Sequence, residues 1–239
     1  MNKILVILFA GISVFFAFQE DKHEYKKGSI HVEIETGEDW IHDFHLFMGI
    51  KLKNPPQFAI WIEDTMGNYL TTIYVTEKIA TQGWVANKGN RRMESLPHWC
   101  HKRNVEYHDG LFLPTKTSQM PDVVTGPTPK GNQKYSFNLL KYQYPIVIKA
   151  EFNHSTDFND CFPKDAVKGS SQYTGGKEGS GQPALVYSAT IYPDDTYKEL
   201  ILIGHSSPDG TNGSIYPDLN EITTAKSIVK RVKVYKGVE

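Results

Sequence analysis

Short runs of alternating apolar and polar residues, separated by glycine- and proline-rich turns, recur along the chain, whereas helix-length periodicity is scarce. Residues 29–36 (SIHVEIET) set Ile30, Val32 and Ile34 on one side and His31, Glu33 and Glu35 on the other, the pattern of a half-buried strand. Residues 58–63 (FAIWIE) are denser, with Phe58, Ile60 and Ile62 on one face and Trp61 on the other, which predicts a strand covered on both sides. Asp64-Thr65-Met66-Gly67-Asn68 reads as a turn and 69–75 as its returning strand. Residues 135–140 and 145–152 read as a second hairpin, 184–192 and 198–204 as further strands, and 231–236 as a closing strand. Residues 95–104 predict a short helix, and Leu219, Ile222, Ala225 and Val229 fall at helical spacing. The stretch 114–132 is a turn-rich connection, and 169–182 (GSSQYTGGKEGSGQ) predicts a mobile loop. The expected fold is all-β with one or two short helices, an antiparallel β-sandwich of immunoglobulin-like character.

Composition narrows the function. Of the 239 residues, 39% are hydrophobic, enough to fill a core and to exclude wholesale disorder. The formal charge of −1 comes without a block of Lys and Arg, which argues against a nucleic-acid partner, because neutralising phosphates needs clustered cations.

The amino terminus is a positive start, Met1-Asn2-Lys3, an apolar run from Ile4 to Phe18 and an abrupt charged exit at Glu20 and Asp21. As a helix that run spans about 22 Å, short of a bilayer core of about 30 Å. It predicts a signal peptide over residues 1–19, a single domain over 20–239, a periplasmic or extracellular location and no stable membrane span after cleavage. An exported chain with two cysteines, Cys100 and Cys161, invites a disulfide, with two free thiols as the alternative.

Four segments together resemble a predicted periplasmic family, domain-of-unknown-function 2271. They are Phe58-Ala59-Ile60-Trp61-Ile62-Glu63-Asp64 with Gly67 and Tyr69; Leu96-Pro97-His98-Trp99; Asp122-Val123-Val124-Thr125-Gly126-Pro127-Thr128-Pro129; and the stretch around Gly204-His205 and Thr223-Thr224-Ala225. The resemblance covers roughly residues 29 to 236. It implies an exported β-sandwich and an association with extracytoplasmic flavin-attaching and reductase systems.

The third segment also resembles the acceptor pattern on which exported flavoproteins carry flavin mononucleotide through a phosphoester. Thr128 would be the acceptor, with Asp122, Thr125 and Gly126 at the pattern's spacing; Pro127 in place of Ala and Pro129 directly after depart from it. His98 and His101, at i, i+3, are the candidate ligands for a transition metal such as copper or zinc; His42 and His45 repeat that spacing, and Cys100 and His108 lie close to the second pair. Gly204-His205-Ser206-Ser207-Pro208 lacks the last glycine of a nucleophile elbow, and Asp209-Gly210-Thr211-Asn212-Gly213 lacks the alternating acids of a calcium loop. Gly175-Gly176-Lys177 lacks phosphate-loop spacing. Trp61, Trp84 and Trp99 read as core rather than a sugar platform. The expectation is a non-enzymatic envelope module that binds an unknown envelope protein or a small ligand, with no cofactor required. The alternative is a redox accessory carrying flavin or a metal.

Overall fold

The structure is a computed structural model that describes residues 28–45, 51–84, 91–120, 125–126, 128–139 and 142–237. The expected signal peptide, 1–19, lies outside the described residues.

Two sheets face each other. One has four strands in the order β10 (Tyr197–Glu199), β12 (Val229–Lys236), β1 (Ser29–Thr36) and β7 (Gln133–Asn138). The other has six: β11 (Ile201–His205), β9 (Leu185–Ile191), β8 (Ile146–Asn153), β4 (Gln57–Asp64), β5 (Tyr69–Thr76) and the two-residue β6 (Thr125–Gly126). Pairings within both sheets are antiparallel except β5 with β6, so the β-sandwich expected from the alternation is what forms. A separate ribbon joins β2 (His42–His45) to β3 (Lys51–Asn54).

The facing surfaces bury the alternating apolar sets. Ile30, Val32 and Ile34 of β1 meet Phe58, Ile60 and Ile62 of β4 and Ile146, Ile148, Ala150 and Phe152 of β8 in one core. Phe58 stacks on Phe152 at 5.3 Å between ring centroids, and Trp40 closes the edge 6.0 Å from Phe58. The six-stranded sheet is also covered on its far side. There Ala59, Trp61 and Val186 pack on Ile79 and Ala80 of α1 (Glu77–Thr81) and on Leu96, Trp99 and Cys100 in and beside α2 (Pro97–Lys102). Trp61 on the second face of β4 is the residue that announced this double cover.

Several expectations give way. β7 and β8 lie in different sheets, so 135–140 and 145–152 are not a hairpin. The strand expected over 198–204 breaks at Leu200: β10 joins one sheet and β11 the other. The helical spacing from Leu219 to Val229 yields a short 3₁₀ turn at Thr224–Ser227 before β12. The loop 169–182 is not a free linker either. Thr174, Ser180 and Gln182 are buried, and Ser180 Oγ donates to Asn153 Oδ1 at 2.7 Å while Arg92 donates to Ser180 Oγ at 3.1 Å. Its glycines permit close approach: Gly181 has φ +79°, and a side chain there would run into the backbone of Asp157.

The expected disulfide is corrected. Cys100 and Cys161 are both free. Cys100 sits in the core under α2, whereas Cys161 packs against the core between the sheets, so the six-stranded sheet separates them.

Candidate functional site

The far face of the six-stranded sheet carries charge where α2 crosses it. On β4, Trp61 and Glu63 share a face with Ala59; register sets Lys149 of β8 opposite Trp61 and Glu151 opposite Ala59. Glu63 and Glu151 are both fully covered. Trp61 Nε1 donates to Glu63 Oε1 at 2.8 Å, and Lys149 Nζ lies 3.0 Å from Glu63 Oε2, with Lys102 of α2 at 3.9 Å. Each polar group thus has an oppositely charged or hydrogen-bonding neighbour, the condition under which burial of charge is tolerated.

Glu151 holds the start of α2. Its carboxyl accepts the backbone N–H of His98 at 3.2 Å and of Trp99 at 2.8 Å, two of the donors a helix start leaves unsatisfied. Burial raises this carboxyl to about 7, against the pull of those N–H bonds, of Ser206 and of Lys149. His98 follows: Nδ1 lies 2.7 Å from the carbonyl of Gly213, which makes it the donor, and leaves the Nε2 lone pair facing Lys149 Nζ at 3.5 Å. Burial lowers this imidazole to about 4, so it is neutral at physiological pH.

The loop 206–216 is closed at its base by paired backbone bonds between His205 and Tyr216, at 2.9 and 2.8 Å. Within it Asp209 Oδ1 accepts from Ser207 Oγ, Thr211 N and Thr211 Oγ1, a self-contained turn rather than a calcium loop. Ser206 is buried and donates to the carbonyl of Ala184, so the elbow-like motif is a structural corner. His101 Nε2 lies 3.3 Å from the carbonyl of Gly210. His98 and His101 therefore do share a face of α2, as their spacing predicts, and both meet loop carbonyls. Among the described residues, no group of three His, Cys, Asp or Glu side chains is arranged to hold a metal ion. The His42 and His45 pair lies on a strand, β2, and the His42 ring lies tilted against His154, 5.4 Å between centroids.

Between the β4–β5 turn, the end of α2 and this loop opens a cleft of about 460 Å³, within the usual range for small-molecule sites. Gly67, Asn68 and Tyr69 form one wall, His101 to Asn104 the floor, and Gly213 the other wall. The turn is rigid: Asp64 Oδ1 accepts the N–H groups of Met66 and Asn68, and Lys102 Nζ ties the carbonyl of Gly67 at 2.9 Å. Trp99 Nε1 donates to Thr72 Oγ1 at 3.0 Å, and Thr72 in turn bonds the Tyr69 hydroxyl at 2.7 Å. The Arg103 guanidinium lies over Trp99, 5.1 Å from its ring. A second cavity, about 520 Å³, opens beside His42, Thr156 and Phe158.

The flavin-type segment forms the β6 edge of the sheet, beside the end of β5 away from the cleft. Thr125 and Gly126 pair in parallel with Val75 and Thr76, and Tyr74 donates to the carbonyl of Gly126 at 3.1 Å. The Thr128 hydroxyl is half-buried and accepts from Gln57 Nε2 at 3.1 Å. Asp122 and Pro127 lie outside the described residues.

Glu63, Lys149, Glu151 and Arg103 escaped the sequence reading. Lys149 and Glu151 alternate with Ile148 and Ala150, which reads as a solvent face. Trp61 was the available signal: a covered face on β4 covers the same face of any strand paired with it.

No family model matches the chain, and neither a curated protein nor a solved structure matches it.

Proposed function

We propose that this chain is an exported, non-enzymatic binding or accessory module of the cell envelope, with its ligand site in the cleft at the end of α2. The observation that carries this reading is preorganisation. Glu63 and Lys149 below the floor, Lys102 in it, Glu151 at the start of α2 and Asp64 in the turn already hold both sides of the opening. A ligand then meets walls whose ordering cost has been met in folding. The signal-like amino terminus and the resemblance to the periplasmic family support the location. Amide chemical-shift mapping of the purified protein against a small-molecule library tests the reading: hits should move Gly67, Asn68 and Gly213 together. Hits confined to other surfaces would remove it.

The redox alternative keeps one specific support. Thr125 is exposed at a sheet edge, next to a chain segment that matches most of a flavin-acceptor pattern. Absorbance and metal content of protein purified from its native envelope separate the two classes. A yellow protein with an added mass lost in Thr128→Ala would replace the first reading.

A further inference from the structure

The cleft contains a cation that the protein itself does not satisfy. Arg103 Nη1 is buried and has no hydrogen-bond partner. Among the described residues, no carboxylate forms an ion pair with Arg103. A buried, unbonded guanidinium nitrogen is costly, and such groups are ordinarily paired.

The neighbouring charges do not supply the missing partner. Glu63 Oε1 is taken by Trp61 and Oε2 by Lys149, with Lys102 behind. Asp64 uses Oδ1 on the N–H groups of Met66 and Asn68 and Oδ2 on the Asn68 amide. His98 faces Gly213 and Lys149, and His101 faces Gly210. Counting these side chains, Lys102, Arg103 and Lys149 outweigh Glu63 and Asp64 by one positive charge. Trp99 lies under the guanidinium, its ring centroid 5.1 Å from Cζ, a cation–π contact that neutralises none of its charge.

Resting on the reading of this cleft as the ligand site, we propose that its ligand carries an oxyanion, a phosphate or carboxylate, which docks on the Arg103 guanidinium. The part of the guanidinium that lines the cleft offers charge-assisted N–H donors to the oxygens of either group. At about 460 Å³ the cleft exceeds a bare phosphate, so the oxyanion belongs to a small organic molecule, whose body lies along Tyr69 and Asn104.

The experiment titrates the full-length protein with inorganic phosphate, citrate and glucose at fixed ionic strength, with amide shifts mapped residue by residue. Phosphate or citrate should move the Gly67, Asn68 and Gly213 amides saturably; the one that binds tighter identifies phosphate or carboxylate as the group. Arg103→Gln should weaken that anion about tenfold or more, in line with loss of a charge-assisted pair. Asn104→Asp, which leaves Arg103 in place and adds a negative charge to the cleft floor beside it, should weaken it as well, and amide spectra of both variants check that the fold is kept. Anion binding unchanged in both folded variants overturns the proposal. Glucose moving the cleft amides while neither anion does overturns it too but keeps the cleft as a binding site. If no probe moves those amides, the oxyanion proposal falls, and the library mapping decides separately whether the cleft binds anything.

Discussion

Glu151→Gln probes the buried carboxyl that anchors α2. The carboxyl is fully buried and titrates at about 7 instead of 4.5, chiefly through desolvation. That difference corresponds to about 3 kcal/mol. The sign follows from proton binding. Between pH 4.5 and about 7 the folded protein holds a proton that the unfolded chain has released. This group's contribution is therefore complete below pH 4.5 and is lost as pH rises through about 7. His98 and His154, both lowered to about 4 by burial, act in the opposite sense, adding stability as pH rises from about 4 to 6.5. The parent profile alone mixes these effects, so the informative quantity is the difference between parent and variant. Urea unfolding at pH 4 and pH 8 should give a parent-minus-variant stability about 3 kcal/mol larger at pH 4. Glutamine keeps the shape and one acceptor for the N–H groups of His98 and Trp99, so the helix stays docked. Parallel profiles for the two proteins would refute the argument: Glu151 would then be ionised in the folded state across this range.

Further expectations concern the rest of the molecule. With both cysteines free, a thiol-alkylating reagent should label half-buried Cys161 in the native protein and Cys100 after unfolding, because burial raises the Cys100 thiol and covers it; mass mapping of the labelled peptides reads this directly. Arg92 joins Glu94 at 2.9 Å, Ser155 at 2.5 Å and Ser180 at 3.1 Å, and stacks on Trp84; Arg92→Ala should lower stability by about 3–5 kcal/mol in urea unfolding, as expected when one member of a buried pair is removed. Gly181→Ala should push the 169–182 segment off its seat on Asp157, seen as new protease cleavage within that segment while the parent resists.

What was legible in the sequence was periodicity, and what was hidden was partnership. Ile30, Val32 and Ile34 mark a strand with one apolar face wherever that strand pairs, and β1 is such a strand. The Asp64 turn carries its own chemistry, since its carboxylate bonds N–H groups two and four residues on. Pairing over long separations leaves no local trace: nothing in 133–138 says that it meets β1 rather than β8. Nor does a lysine or glutamate in alternation reveal that a helix will cover it, which is why Lys149 and Glu151 passed as surface. The serine- and glycine-rich segment misled for a related reason. Its low hydrophobicity suggested solvent, yet Ser180 and Gln182 are buried through hydrogen bonds to Arg92, Asn153, Thr223 and Thr224, not through apolar area.

The chain passes from one layer of the sandwich to the other through a single residue. Leu200 is 4% exposed and donates its N–H to Val232 at 2.9 Å, while β10 before it is laced to β12 and β11 after it to β9. One residue spans too little distance to leave slack when the layers part. Opening the sandwich on that side must therefore tear the β10–β12 or the β9–β11 ladder, so the layers cannot part there with both ladders intact. Under conditions where exchange reports subglobal opening, the layers should part there no more readily than the weaker of these two ladders opens.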